Sequence, residues 1–192
     1  MMKAKLEETL RSLNILTAEE ISEGLKNFDL VTVKRNEILM EAGKTCDWIA
    51  FVNSGILRNY YISSKGEEVT YCLTFPKKLI TACSSFITQE KTFENIHAIT
   101  DAELLVIRKN QFSALIESSN NWLRFSNYFY EQSYILMENR LLALQMESAE
   151  KRYEDLINNH PNYLQEVPLK YIASYLGITQ RHLSRLRKNI SF

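Results

Sequence analysis

The sequence predicts an α+β protein in three parts: an antiparallel β-roll or barrel, one long helix and a C-terminal helix-turn-helix. Three observations lead to this prediction. Short runs of β-branched and aromatic residues, separated by turn residues, occupy residues 30–107 and are typical of strands. Apolar residues then recur at heptad spacing over about residues 120–146, as they do in a helix. Residues 169–188 combine two amphipathic stretches with a glycine between them, as expected for two helices joined by a turn.

Length and composition limit the classes of protein that need to be considered. The chain has 192 residues, of which 45% are hydrophobic and 24% charged, so a packed core is expected. The sequence contains no run of about 18 consecutive apolar residues, the length that a membrane-spanning helix needs. Residues 1–10 also lack the apolar stretch of a secretory signal. Cys46, Cys72 and Cys83 have no CxxC spacing, which disfavours a disulfide scaffold, a zinc site or an iron–sulfur cluster. We therefore expect a cytoplasmic protein with reduced thiols, no membrane partner and no metal or other cofactor.

The first predicted helix begins after Thr17. This threonine is a good N-cap, and Glu20 three residues later completes a capping box. Ile21, Leu25 and Phe28 recur at helical spacing and give the helix one apolar side.

The strands are predicted from short runs that follow this helix. They fall at residues 31–33, 48–52, 56–62, 69–75 and 104–107. Gly43, Gly55 and Gly66 all lie at predicted turns between them. Strands at a spacing of roughly 8–12 residues suggest an antiparallel barrel or roll.

One long helix is predicted over about residues 120–146, after a short helix over residues 110–116. Its apolar residues lie on three adjacent sides, so we expect it to be buried twice, against its own β-roll and against a second copy of itself. Burial within one subunit is the alternative. A helix over residues 147–158 and an extended linker over residues 161–168 are predicted next. The residues expected at the dimer contact are Trp122, Phe129, Tyr130, Leu136, Met137 and Leu144.

The C-terminal residues fit a helix-turn-helix at each demanding position. Gly177 falls where the chain has to turn through positive φ, and Ala173 is small where the two helices cross. Ile178 would plug the turn, and Thr179 would cap the second helix. The core between the two helices would consist of Ile172, Leu176, Leu183 and Leu186.

Charge is distributed unevenly along the chain. The 23 basic and 23 acidic residues give a formal net charge of zero, but residues 167–192 hold five basic residues and no acid. A basic tip on an acidic body points to a polyanion partner, although a solvated basic face is the alternative. Gln and Arg suit base edges in the major groove, and a helix N-terminus suits a phosphate. The residues expected to contact DNA are Thr179, Gln180, Arg181, Ser184, Arg185, Arg187 and Lys188.

The chain as a whole resembles the Crp–Fnr family of bacterial transcription regulators. The matching segments are residues 37–43, 51–55 followed by Leu57 and Arg58, 66–68, 172–179 and 183–185. The resemblance implies a cyclic-nucleotide-binding-like β-roll (a double-stranded β-helix), a dimerisation helix and a winged helix-turn-helix. It divides the chain into an effector domain over residues 1–118, a dimerisation helix over residues 119–147 and a DNA-binding domain over residues 148–192.

The ligand-binding segment departs from the family pattern. Nucleotide-binding members hold the ribose and the cyclic phosphate with a Gly-Glu pair and an Arg-Ser pair. Residues 75–98 contain no Gly and no Arg, and Thr92 and Phe93 stand where Arg-Ser would be. Because a buried phosphate needs a cationic partner, cyclic AMP is not expected to bind in the family's manner. The residues considered for another effector pocket are Ala82, Cys83, Thr92 and Phe93.

The sequence therefore predicts a dimeric, sequence-specific transcription regulator that binds double-stranded DNA. RNA polymerase and an unidentified small-molecule effector are the further partners considered. The alternative is a small-molecule-binding or signalling module whose helix-turn-helix is vestigial or contacts another protein. An enzyme is not expected, since His97 is the single histidine of the strand region and no nucleophile–base pair or phosphate loop stands out.

Overall fold

The computed structural model describes residues 3–161 and 164–189, and within them eight strands form two sheets. The strands are β1 (Asp29–Val33), β2 (Ile38–Met40), β3 (Trp48–Ser54), β4 (Leu57–Ile62), β5 (Glu68–Thr74), β6 (Leu79–Ile80), β7 (Glu94–Ala98) and β8 (Ala102–Arg108). The first sheet has the order β1-β8-β3-β6 and the second the order β2-β7-β4-β5, with every pairing antiparallel. The predicted antiparallel β-roll is confirmed.

Helices precede and follow the β-roll. They are α1 (Ala4–Ser12), α2 (Ala18–Lys26), α3 (Cys83–Thr88), α4 (Lys109–Ser118), α5 (Asn120–Met146), α6 (Ala149–Asn159), α7 (Leu169–Leu176) and α8 (Gln180–Asn189). The long helix α5 has the predicted bounds. The predicted linker holds a short 3-10 turn at Leu164–Glu166. The strand patterns gave no sign of α3, which lies between β6 and β7.

The two sheets enclose a core of small and branched apolar side chains. Ala50 and Val52 of β3 pack in one cluster with Leu57 of β4 and Ile96 of β7, so the sheets face each other. The turn between β3 and β4 requires glycine, because Gly55 has a φ of +90°. A Cβ there would also lie 2.5 Å from the backbone oxygen of Asp101. This turn fixes how β4 leaves the first sheet for the second.

The helices α1, α2, α4 and the start of α5 form a second core against the outer face of β3 and β8. Trp122 of α5 is 1% exposed in this core and contacts Phe125 edge to face, with ring centroids 5.4 Å apart. Gly24 of α2 leaves room for the indole, since a Cβ there would lie 2.2 Å from its ring. The expectation that Trp122 lies at a dimer contact is therefore wrong, because its own subunit covers it.

The predicted capping box of α2 is confirmed and also holds the start of α5. Thr17 Oγ1 accepts from the Glu20 backbone N–H at 3.2 Å, and the Glu20 carboxylate accepts from the Thr17 N–H at 2.8 Å. The same carboxylate accepts from Ser119 Oγ and, at 3.0 Å, from Asn121 Nδ2. These hydrogen bonds, that from Ser119 first, lower the pKa of Glu20 to about 2.

A third core joins the C-terminal helices to the β-roll. Apolar side chains of α6, α7 and α8 pack with Ile56, Phe75 and Ile99 of the β-roll. The predicted turn is confirmed, because Gly177 has a φ of +69° and its N–H donates to the Ser174 carbonyl at 3.1 Å. The four residues predicted for the helix-turn-helix core, Ile172, Leu176, Leu183 and Leu186, are all buried. The predicted wing would follow α8, outside the described residues.

Candidate nucleic-acid interface

The helix α8 presents a polar, basic face to solvent. Thr179 caps it as predicted, since its Oγ1 accepts from the His182 N–H at 3.2 Å. Leu183 and Leu186 point into the core, at 0% and 3% exposure. The opposite side is fully accessible, with five predicted DNA contacts exposed: Gln180, Arg181, Ser184, Arg185 and Lys188. The arrangement places hydrogen-bond donors and cations along one side of a capped helix, as major-groove recognition requires.

The cations of α8 have no carboxylate partner within the described residues. None of the ion pairs found there involves Arg181, Arg185, Arg187 or Lys188. By contrast, exposed cations of the β-roll side, such as Arg108 and Lys77, pair with Asp47 and Glu8. Unneutralised cations at one tip favour binding to a polyanion.

Arg187 has different surroundings. It is exposed but lines a cleft of about 610 Å³ that is also bordered by Arg35, Glu166 and Tyr153. The cleft lies beside the 3-10 turn, on the side of α8 that faces the linker. Arg187 is thus the one predicted DNA contact that lines this cleft, although it lies on the same side of α8 as Gln180, seven residues earlier.

The C-terminal half of α5 carries a continuous apolar surface. Tyr134 is 66% exposed, Leu136 54% and Leu141 55%, and Met137 and Leu144 are also exposed. Phe129 and Tyr130 are half-buried, and Phe129 packs against the helical core of its own subunit. Of the residues predicted at the dimer contact, Leu136, Met137 and Leu144 are therefore the ones that lie on this surface. Exposed apolar patches of this kind mark interaction sites.

The four residues considered for an effector pocket have different environments. Ala82 and Thr92 are buried, Cys83 is half-buried, and Phe93 is 91% exposed. Thr92 Oγ1 accepts from the Glu94 N–H at 3.1 Å, so its hydroxyl serves the local backbone. Burial and then nearby Glu94 raise the pKa of the Cys83 thiol.

Glu94, which the sequence patterns did not single out, lies inside the β-roll beside these residues. Its carboxylate accepts from Asn59 Nδ2 at 2.6 Å and from the Tyr71 hydroxyl. Burial raises the pKa of Glu94, and Asn59 Oδ1 is buried without a hydrogen-bond partner. The alternation of residues along a strand could have placed both side chains inside the β-roll. Asn59 lies two residues after the buried Leu57 of β4, and Glu94 lies two residues before the buried Ile96 of β7.

This polar cluster offers acceptors rather than cations. The lysines of the same segment, Lys77, Lys78 and Lys91, are all exposed. A carboxylate and an orphan amide oxygen repel a phosphate, which instead needs Arg, Lys or N–H donors.

Residues 3–161 and 164–189 contain neither a metal-binding cluster nor a membrane-spanning helix. No group of three or more His, Cys, Asp or Glu side chains is placed there to hold a metal ion. No helix in this part of the chain has the length and apolarity needed to cross a membrane.

Comparison with known proteins identifies the β-roll. Residues 30–119, just under half of the chain, match the family model of the cyclic nucleotide-binding domain. No curated protein sequence shows significant similarity to the chain.

Solved structures match over most of the chain. FixK2 from Bradyrhizobium japonicum superposes with a TM-score of 0.76 at 15% identity, covering 85% of this chain and 84% of that chain. A candidate transcriptional regulator of the crp/fnr family from Eubacterium rectale has a TM-score of 0.70 at 20% identity, covering 92% and 84%. The catabolite activator protein of Thermus thermophilus has a TM-score of 0.59 at 19% identity, covering 91% and 84%.

The β-roll and the family match show that residues 30–119 are similar to a cyclic nucleotide-binding domain. With α5 and the C-terminal helices included, the chain has the fold of the Crp/Fnr transcriptional regulators, as the sequence resemblance predicted.

Proposed function

We propose that the protein is a dimeric, sequence-specific DNA-binding transcription regulator of the Crp–Fnr type. The observation that carries this proposal is the outer face of α8. Gln180, Arg181 and Arg185 extend into solvent from a helix capped by Thr179, and no carboxylate within the described residues neutralises the two arginines. Arg and Gln at such positions contact base edges, while Ser184 and Lys188 are suited to the phosphate backbone.

The apolar surface of α5 supports the dimer. Met137 and Leu144, one heptad apart, lie on the same side of the helix as Tyr134 and Leu141, which alternate with them at spacings of three and four. Pairing two copies of this side would remove exposed leucine and tyrosine from water and place two α8 helices about a two-fold axis. Such a dimer reads two half-sites about 34 Å apart on one side of the duplex.

The β-roll would act as a sensor or assembly domain that does not bind cyclic AMP. Thr92 and Phe93 occupy the positions where a cation would meet the cyclic phosphate, and Glu94 adds a carboxyl group beside them. Binding of a cyclic phosphate there would bring two anionic groups together without a paired cation. An unidentified effector and RNA polymerase are the further partners included in this proposal.

Selection from a pool of random duplexes at moderate salt tests the function. We expect the protein to enrich a pseudo-palindrome, and we expect its affinity to fall steeply as salt rises. Arg181→Ala combined with Arg185→Ala should lower the affinity for the selected duplex at least about tenfold, because each base contact is worth about 1–3 kcal/mol. Arg11→Ala combined with Lys26→Ala is the matched control, since both residues are exposed cations on α1 and α2.

The outcomes separate the two candidate functions. Enrichment of no duplex, or equal loss in the control pair, contradicts the proposal and favours the signalling module whose helix-turn-helix does not contact DNA. Binding of cyclic AMP measured by calorimetry would contradict the statement about the β-roll alone.

A further inference from the structure

A buried arginine lies where the helix-turn-helix meets the second sheet. Arg58 of β4 is 1% exposed. Its Nε donates to His97 Nδ1 at 3.2 Å and its Nη1 donates to Thr70 Oγ1 at 3.1 Å. Its Nη2 donates to Glu68 Oε2 at 2.5 Å. The guanidinium is thus held in a fixed plane by three acceptors on β5 and β7, the two strands that flank β4.

The face of this guanidinium contacts α7. The ring centroid of Tyr171 lies 3.6 Å from Arg58 Cζ, and that of Tyr60 lies 4.0 Å away. Tyr171 also meets His97 edge to face, with centroids 5.8 Å apart. A desolvated cation is attracted to the face of an aromatic ring, so this contact favours one orientation of α7.

A second contact joins α7 to the free edge of β5. Because β5 ends the second sheet, its outer backbone groups have no neighbouring strand among the residues that the structure describes. Ser174 of α7 takes that place: its Oγ accepts from the Thr70 N–H at 2.9 Å and donates to the Glu68 carbonyl at 3.3 Å. The Ser174 hydroxyl therefore hydrogen-bonds to backbone groups of β5 that a further strand would otherwise occupy.

We infer that Arg58 and Ser174 are positioning residues that fix the orientation of the helix-turn-helix and thereby the spacing of the two DNA half-sites. This inference rests on the proposed function. The chain between α5 and α6 consists of Glu147 and Ser148 alone, so α6, α7 and α8 could swing about this short connection. The contacts with β4 and β5 lie away from the connection and, together with the third core, remove that freedom. A dimer with fixed recognition helices accepts one half-site separation, whereas a dimer with loose ones accepts several.

Two variants and a matched control test the inference. Ser174→Ala removes the contact with β5 at a partly exposed position on α7 and favours helix, so the fold should survive. Ser118→Ala is the control, because the Ser118 hydroxyl donates to the Leu115 carbonyl within α4. Arg58→Lys keeps the charge but loses the planar group that binds three acceptors and stacks on Tyr171.

The first readout is discrimination between half-site spacings. The probe is a duplex that the parent protein selects from the random pool, remade with one or two base pairs added to or removed from its centre. For the parent and for Ser118→Ala, the affinity for the selected spacing should exceed that for the altered spacings by about tenfold or more. For Ser174→Ala and Arg58→Lys, this affinity ratio should be about threefold or less. A residue that only stabilised the fold would leave this ratio unchanged, and an unchanged ratio in Ser174→Ala overturns the inference.

The second readout needs no DNA. Hydrogen exchange of the Thr70 amide, which Ser174 holds in the structure, should speed up at least about tenfold in Ser174→Ala and stay at the parent rate in Ser118→Ala. If the parent selects no duplex, the proposed function fails, and this exchange rate still decides whether α7 is held on β5. Parent-like exchange in Ser174→Ala contradicts the contact itself.

Discussion

His97 should make the stability of the protein depend on pH between about 4 and 6.5. The imidazole is surrounded by Arg58 of β4, Glu68 of β5 and both Lys170 and Tyr171 of α7. Burial, and then the charge of Arg58, lower its pKa from 6.5 to about 4. Its Nδ1 accepts a hydrogen bond from Arg58, so a proton there would break that bond and place two cations together. The folded state therefore holds His97 neutral.

The size of the effect follows from the two pKa values. As pH falls through 6.5, the unfolded chain takes up the proton before the folded chain does, so acidification favours unfolding. With a folded pKa of about 4 against 6.5, the free energy of unfolding should be about 2 kcal/mol lower at pH 5 than at pH 7.5. The loss is complete below about pH 4, where both states are protonated.

Urea denaturation at pH 7.5 and pH 5 measures this difference. His97→Gln keeps an acceptor for Arg58 but cannot titrate, so it should reduce the pH-dependent loss by about 2 kcal/mol relative to the parent. Part of the dependence should remain, because burial and Lys78 also lower the pKa of His160. A parental pH dependence in His97→Gln would refute the reasoning, since His97 would then be protonated alike in both states.

Three further outcomes follow from the geometry. Gly177→Ala should lower the free energy of unfolding by about 1–2 kcal/mol in chemical denaturation, because φ is +69° and a Cβ would meet Leu144 Cδ2 at 3.0 Å. Thr179→Ala should cost about 1 kcal/mol in the same assay through loss of the cap on α8, and unaltered stability would contradict that role. Leu141→Arg should convert a dimer to monomer in analytical ultracentrifugation, since it places a charge on the apolar face of α5; an unaffected dimer would exclude this face.

The sequence was most informative where one residue type has a single structural use. Gly177 was predicted at positive φ and Thr179 as an N-cap, and both are found there. The bounds of α5, Asn120–Met146, were also predicted, because heptad-spaced apolar residues run from Trp122 to Leu144. Local chemistry decides such features, so neighbours distant in the chain add little to them.

The sequence patterns did not predict contacts between residues that are far apart in the chain. The heptad spacing marks Trp122 as apolar but does not say whether its own subunit or a second copy covers it; the small Gly24 on α2 decides that. The family resemblance includes Arg58 but gives it no partner, and Tyr171 lies more than one hundred residues later in the chain. The role of a buried arginine becomes visible only when its acceptors on β5 and β7 are brought together by the fold.

The helix α5 and the contacts of Arg58 constrain the helix-turn-helix from two sides. At its C-terminal end α5 contacts α7 and the turn after it: Arg140 lies over the Tyr175 ring at 4.0 Å, and Leu144 lies beside Gly177. About 40 Å away, the start of the same helix is fixed by Glu20 and by the core around Trp122. A shift of α5 on dimerisation would therefore push on α7 while Arg58 and Ser174 hold its other side. The recognition helix can turn only if these attachments and the third core around Ile56 and Phe75 give way. Ser174, which makes two hydrogen bonds at a partly exposed edge, is a weaker attachment than the buried Arg58.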